Sequence, residues 1–152
     1  MRILLASAIA LTSFAFSPIA AHAAGGGGAN PPKPTNTTKK CLFGRVWSED
    51  RGRCVKPSAT NFTDEDLYEA VRELAYDGQL ENAQNILRVM SDQNDDRVLT
   101  YWGFTHRKMG NIELANAYYE QAIATNPDNL LARSYMAQGF VSEGKTDLAI
   151  AQ

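Results

Sequence analysis

The fold is decided by residues 96–129, which read DRVLTYWGFTHRKMGNIELANAYYEQAIATNPDN. Apolar or small residues recur every three to four positions on both sides of Gly110, which is the period of an amphipathic helix. The two stripes are Leu99, Trp102, Gly103 and His106 before the glycine, and Ile112, Ala115, Tyr119 and Ala122 after it. The stretch therefore predicts two helices joined by a tight turn at Gly110, with Pro127 ending the second helix.

The same pattern recurs around Gly78 and Gly144, which lie at nearly equal distances before and after Gly110 in the sequence. Residues 62–152 are therefore predicted to form a helical repeat array, with units at 64–95, 96–129 and 130–152. The last unit stops at Gln152, partway through its second helix, so we expect either a fragment of a longer chain or a frayed end.

In this period the chain resembles the tetratricopeptide repeat (TPR) family, whose helix-turn-helix unit has a length of about 34 residues. The middle unit carries the resemblance. Its matching residues are the large Leu99 and Trp102, the small Gly103, Ala115 and Ala122, the turn residue Gly110, the aromatic Tyr119 and the terminating Pro127. The resemblance implies an all-α fold, a short TPR-like helix-turn-helix solenoid of about 2.5 to 3 repeats. The residues before it indicate a flexible tether with a small disulfide loop.

Residues 1–23 have the pattern of a secretory signal peptide. Met1-Arg2 is a short basic start, Ile3 to Ala20 is mainly apolar, and Ala21-His22-Ala23 fits the small-x-small cleavage pattern. We expect cleavage after Ala23 and a bacterial periplasmic or secreted protein, in contact with a membrane only through the signal peptide before cleavage. The alternative is an uncleaved anchor, because this apolar stretch reaches the lower limit for a membrane span.

Residues 24–40 are rich in Gly, Pro and Thr, lack an apolar period and are predicted to be a flexible linker. Residues 41–57 follow as a separate small loop. Its two cysteines, Cys41 and Cys54, have no third cysteine to compete, so in an exported chain they are predicted to form one disulfide, worth about 3 kcal/mol. Between them we expect two short strands, at residues 45–47 and 53–55, joined by a turn.

Charge divides the chain into a basic front and an acidic array. Residues 24–57 carry seven basic and two acidic residues, whereas residues 58–152 carry seven basic and fifteen acidic ones. The basic front is either a solvated tether or a surface for anionic lipid, glycan or nucleic acid. Nucleic-acid binding fits an acidic array and an exported chain poorly, and we expect none.

No catalytic constellation is recognisable, and we predict neither enzyme activity nor a cofactor. The sequence has no glycine-rich phosphate loop and no nucleophile close to a base. His106 lies on a core-facing stripe, which indicates packing rather than acid-base chemistry. A zinc site would need two ligands beyond the two cysteines, so no metal is expected.

The resemblance implies that ligands bind along the first helix of each repeat. The predicted groove residues are Tyr68, Arg72, Tyr76, Arg97, Thr100, Phe104, Arg107, Lys108 and Gln138. Aromatic and basic side chains alternate on this face, which suits an acidic or aromatic peptide. We therefore expect an exported, non-enzymatic adaptor or scaffold that binds a protein or peptide in the groove. The alternative is an envelope- or glycan-binding module in which the cysteine loop recognises the ligand and the repeats are a spacer.

Overall fold

The structure, a computed structural model, describes residues 30–59 and 62–152 of the chain. These residues form seven α-helices, one two-stranded sheet and a short 3₁₀ helix, so the predicted helical fold is confirmed. The predicted signal peptide at 1–23 and residues 24–29 of the predicted linker lie outside the described residues.

The elements fall into an N-terminal module and a series of helix pairs. The module consists of α1 (Asn36–Lys40), β1 (Val46–Ser48), β2 (Arg53–Val55) and the 3₁₀ helix Pro57–Ala59. The helix pairs are α2 (Asp64–Tyr76) with α3 (Leu80–Leu87), α4 (Asp96–Lys108) with α5 (Ile112–Thr125), and α6 (Leu130–Ser142) with α7 (Thr146–Ile150). Within each pair the two helices pack against each other.

A glycine in the left-handed conformation joins the two helices of each pair. At Gly110, where φ is 86°, its own amide donates a hydrogen bond to the carbonyl of Arg107, and the amide of Asn111 donates one of 2.9 Å to the carbonyl of His106. A side chain at this position would be disfavoured by contact with its own carbonyl, whereas glycine adopts the conformation freely. The turns at Gly78 and Gly144 have the same pair of hydrogen bonds. The three glycines therefore stand where the sequence predicts turns.

Helix α4 is the central element of the array, since it packs against α2, α3, α5 and α6. It approaches α5 closely at Gly103. A Cβ atom at this position would lie only 2.5 Å from Cε1 of Tyr119, whose side chain is fully buried. The missing side chain at Gly103 therefore leaves the space that the Tyr119 ring occupies.

The end of the predicted linker is ordered against α2, in contrast to the expectation of a flexible tether through residue 40. Residues Asn36–Lys40 form a helix, and the buried carboxylate of Glu73 accepts four hydrogen bonds from the backbone amides and hydroxyls of Thr35 and Thr38, at 2.5 to 3.2 Å. A buried carboxylate needs such partners to offset its lost hydration. No local pattern indicates this contact, because Glu73 belongs to a distant part of the sequence.

The cysteine loop forms the predicted disulfide and hairpin. Cys41 and Cys54 are bonded, and β1 pairs with β2 in antiparallel register. Val46 of β1 is buried in the same apolar cluster as the residues of α2 and α3. The loop also approaches α3, because a Cβ on Gly44 would lie 3.3 Å from the carbonyl oxygen of Asn82. The module therefore covers the first helix pair, where an array of this kind would otherwise expose apolar surface.

Replacing Gly103 by alanine tests the close approach of α4 and α5. We expect Gly103→Ala to lower the free energy of unfolding by about 1 to 3 kcal/mol, because the buried Tyr119 ring has to move. Gly139→Ala is the matched control, since its new Cβ would meet only the flexible Cδ of Arg107, at 3.2 Å. This control should be neutral or slightly stabilising, as alanine favours helix. Urea denaturation of both variants gives the comparison, and equal stability would contradict the packing described.

Candidate functional site

A groove of about 1120 Å³ lies along the first helices of the three pairs, α2, α4 and α6. The structure brings eight of the nine predicted groove residues to its lining. These are Tyr68, Tyr76, Arg97, Thr100, Phe104, Arg107, Lys108 and Gln138. The groove is larger than the depression on the hairpin, and its size suits a short peptide segment.

An aromatic cluster forms the floor of the groove. The rings of Tyr76 and Phe104 are 5.5 Å apart, and those of Phe104 and Tyr135 are 4.9 Å apart. The hydroxyls of Tyr76 and Tyr135 are hydrogen-bonded at 2.6 Å. Burial, reinforced by this hydrogen bond, raises the pKa of Tyr135, so its hydroxyl stays protonated. Phe104 and Tyr135 are buried, so the half-buried Tyr76 is the ring of this cluster that is partly open to the groove.

Tyr135 was missed by the sequence prediction, although the repeat contains a signal for it. Tyr68, Tyr101 and Tyr135 follow one another at almost the same interval in the sequence, close to the length of one repeat. In the structure the ring of Tyr101 lies 5.6 Å from that of Tyr68 and 6.4 Å from that of Tyr135, edge to face in both cases. This tyrosine row connects the three first helices beneath the groove. Aligning the repeats by their glycines places Tyr135 opposite Tyr101, whereas Tyr68 is offset by one position.

Two cations lie beside the aromatic floor at the C-terminal end of α4. The guanidinium carbon of Arg107 lies 5.7 Å from the centroid of the Phe104 ring, and the ammonium nitrogen of Lys108 lies 5.6 Å from it. Among the described residues neither has a carboxylate within 4 Å. Lys108 is exposed, whereas Arg107 is half-buried and its Nε is enclosed without a hydrogen-bond partner in the described structure.

Arg107 also influences the pKa of Tyr119, a buried tyrosine behind the groove. Burial raises the pKa of Tyr119 to about 12, and the nearby guanidinium of Arg107 partly opposes this rise. The Tyr119 hydroxyl nevertheless makes no hydrogen bond of acceptable geometry within the described residues. Arg107 thus belongs partly to the packing between helices, and Lys108 is the freer of the two cations.

The other end of the groove is not cationic. Arg97 is paired with Glu65 at 2.8 Å and with Asp95 at 3.4 Å. The hydrogen bond to Glu65 is the main reason why the pKa of Arg97 is raised. The groove lining also contains Glu69, Asp96 and Asp128. The sequence interpretation of a cationic stripe along the whole groove is therefore too broad, since the unpaired positive charge is confined to one end.

Arg72 is the predicted groove residue that the structure places elsewhere. It is buried, and its guanidinium donates hydrogen bonds to the carboxylate of Glu69 at 2.9 Å and to the carbonyl of Asn30 at 3.0 Å. The chain before α1 passes along this face of α2, so that Pro31 lines the groove instead. This long-range contact is the reason why helical spacing alone misplaced Arg72.

Three further predicted residues form the base of the groove rather than its contact surface. Tyr68, Thr100 and Phe104 are buried. The hydroxyl of Thr100 donates to the carbonyl of Asp96 at 2.6 Å and accepts from the Asn129 side chain at 2.9 Å. Gln138 in contrast is exposed and free to contact a ligand.

His106 lies in an aromatic stack outside the groove lining. Its ring is 5.8 Å from that of Trp102 and 5.6 Å from that of Tyr118, with nearly parallel planes. Burial, with a smaller contribution from the charge of Arg88, lowers the pKa of His106. The described residues contain no group of three metal-ligating side chains around it or elsewhere. The geometry is that of a packed ring, as the sequence predicts.

Comparison of the chain with protein-family models, curated proteins and solved structures finds no match. Within residues 30–59 and 62–152, no helix is both long enough and apolar enough to cross a membrane.

The lowered pKa of His106 predicts a stability change in mildly acidic solution. Because the folded state binds the proton less readily than the unfolded state, the free energy of unfolding should fall as the pH drops from about 7 to about 5, through the unfolded pKa near 6.5. His106→Phe keeps the stacked ring without a titrating group and should flatten this dependence. Urea denaturation at several pH values measures the difference, and an equally steep slope in the variant would assign the effect to other groups.

Proposed function

We propose that this chain is an exported, non-enzymatic interaction protein that binds a peptide segment of a partner in the groove of a TPR-like array. The unpaired cations Arg107 and Lys108 beside the Phe104 ring are the observation that carries the proposal. A free cation beside an apolar floor is suited to a ligand that has an acidic group next to an aromatic or aliphatic one. The disulfide is compatible with an oxidising, extracytoplasmic location.

The packing of the helix pairs supports a TPR-like solenoid. Helices α2 and α4 each pack against their own second helix and against the first helix of the next pair, so that α2, α4 and α6 lie side by side. The turn at Gly110 and the close approach at Gly103 stand at the positions where the repeat resemblance requires them. Such an array exposes a row of first helices as one continuous binding surface.

The charge distribution along α4 favours one orientation of a bound peptide. The free cations lie at the C-terminal end of α4, and the carboxylate of Asp96 lies at its N-terminal end, where it accepts hydrogen bonds from the side chains of Asn126 and Asn129. These two ends are roughly 18 Å apart along the helix, from a rise of about 1.5 Å per residue. An extended peptide of about six residues covers this distance, at about 3.3 Å per residue. Its acidic group should lie near Lys108, and its apolar side chain should contact the ring cluster.

Charge reversal at Lys108 tests the proposal with a defined probe. The probe is a fluorescent hexapeptide that contains one Phe and two Glu residues, and a second peptide has Gln in place of Glu. We expect Lys108→Glu to weaken binding of the acidic peptide at least about fivefold, which corresponds to about 1 kcal/mol. The Gln peptide should bind the unaltered protein more weakly and should respond little to the substitution. Fluorescence anisotropy measures both affinities.

Lys145→Glu is the control, because Lys145 is exposed and does not line the groove. This substitution changes the net charge by the same amount as Lys108→Glu and should leave the affinity for the peptide unchanged. Lys108 is preferred to a double reversal with Arg107, since Arg107 is half-buried and its replacement by Glu would also disturb packing. Equal losses in the two variants, or no loss in Lys108→Glu, would show that the groove does not recognise the acidic group.

A further inference from the structure

The N-terminal module presents a large aromatic side chain to solvent on a disfavoured backbone conformation. Phe43 has φ of 57° and is 84% exposed, and its neighbour Leu42 is 66% exposed. Bulky residues rarely adopt positive φ, and where they do the surrounding structure has to hold them there. In the described part of the chain Phe43 is the one residue other than glycine with positive φ. The fold therefore holds Phe43 in a strained backbone conformation, although its side chain packs against little of the protein.

The turn is held in place from both sides. Cys41, which precedes it, is fixed by the disulfide to Cys54. Gly44, immediately after it, is buried against α3, and the amide of Arg45 donates a hydrogen bond of 3.2 Å to the carbonyl of Leu42. The apolar tip is thus presented by an anchored turn rather than by a loose loop.

Exposed cations belong to the same module. Arg45, Arg51, Arg53 and Lys56 line one shallow depression on the hairpin. Residues 30–59 carry seven basic and two acidic residues, a net charge of +5, and all seven basic side chains are exposed. None of the seven has a carboxylate within 4 Å in the described structure. Residues 62–152 carry a net charge of −8, so the module and the array have opposite net charges.

We propose that this module docks the protein on an anionic phospholipid surface, with Leu42 and Phe43 inserted at the interface and the hairpin cations facing the headgroups. Exposed aromatic and aliphatic side chains next to Arg and Lys form the usual chemistry of interfacial binding. A free phosphate ion or a soluble polyanion would use the cations alone and would leave the strained, exposed Phe43 without a role. The acidic array is repelled by the same surface, which orients the module toward the lipid. The proposal goes beyond the expectation from the sequence, which limited membrane contact to the signal peptide before cleavage. This docking is independent of the groove and needs no peptide ligand.

Vesicle binding tests the proposal. The probe is a pair of vesicle preparations, one of phosphatidylcholine alone and one of phosphatidylcholine mixed with a minor share of phosphatidylglycerol. The protein is used as purified from the cells that express it, with its N-terminus determined by mass spectrometry. We expect co-sedimentation with the anionic vesicles to exceed that with the neutral ones. Arg51→Gln combined with Arg53→Gln should weaken the anionic-specific binding about 25-fold, since each cation near such a surface contributes about fivefold.

Phe43→Asn separates docking from folding. Asn tolerates positive φ, so this variant should be at least as stable as the unaltered protein in thermal unfolding. Its affinity for anionic vesicles should fall at least about tenfold, because the aromatic ring that would insert into the lipid is lost. The matched controls are Ile150→Ser, at another exposed apolar residue, and the pair Arg88→Gln with Arg133→Gln, which removes the same charge from the array. Both should bind as the unaltered protein does.

Three outcomes would overturn the proposal. The first is equal binding to neutral and anionic vesicles. The second is an equal loss in the array control and in the hairpin variant, which would indicate net charge alone. The third is full retention of binding in Phe43→Asn, which would show that the cations alone are attracted to the vesicles and that Phe43 does not insert.

Discussion

The close approach of α4 and α5 at Gly103 is the constraint on which the rest of the array depends. Because no side chain projects from Gly103, the Tyr119 ring lies directly against the α4 backbone. Helix α4 contacts α2, α3, α5 and α6, so its position sets the spacing of the first helices on both sides. It also carries Phe104, Arg107 and Lys108. A shift of this one helix would therefore alter the core and the groove together.

The carboxylate of Glu73 is a second important contact, because it connects the basic N-terminal module to the acidic array. Its four hydrogen bonds hold the start of the basic module on the acidic array. The disulfide then closes the hairpin, and Val46 extends the apolar core beyond the first helix pair. The module is thus part of the folded unit. A deletion of residues 33–57 would uncover this surface, so point substitutions are the better way to separate the two proposed binding regions.

Periodicity and composition predicted the features that depend on local sequence. The glycine turns, the helices, the hairpin and the disulfide follow from apolar spacing and from two cysteines without competitors. The features for which the sequence prediction differs from the structure depend on contacts between residues that are distant in the sequence. Arg72 is covered because Asn30 lies over it, Arg97 is neutralised by Glu65, and the helix at Asn36–Lys40 is held by Glu73. Tyr135 is an intermediate case. Aligning the repeats at Gly110 and Gly144 places it opposite Tyr101, but it is not part of the apolar stripe of its own helix.

Nuclear magnetic resonance can show whether the face formed by α2, α4 and α6 binds the peptide. The acidic hexapeptide is titrated into the ¹⁵N-labelled protein, and the amide shifts are followed residue by residue. We expect saturable shifts at Tyr76, at Phe104 to Lys108 and at Gln138, with little change in β1 and β2. Shifts confined to Leu42, Phe43 and the hairpin would contradict this expectation and would place recognition in the cysteine loop.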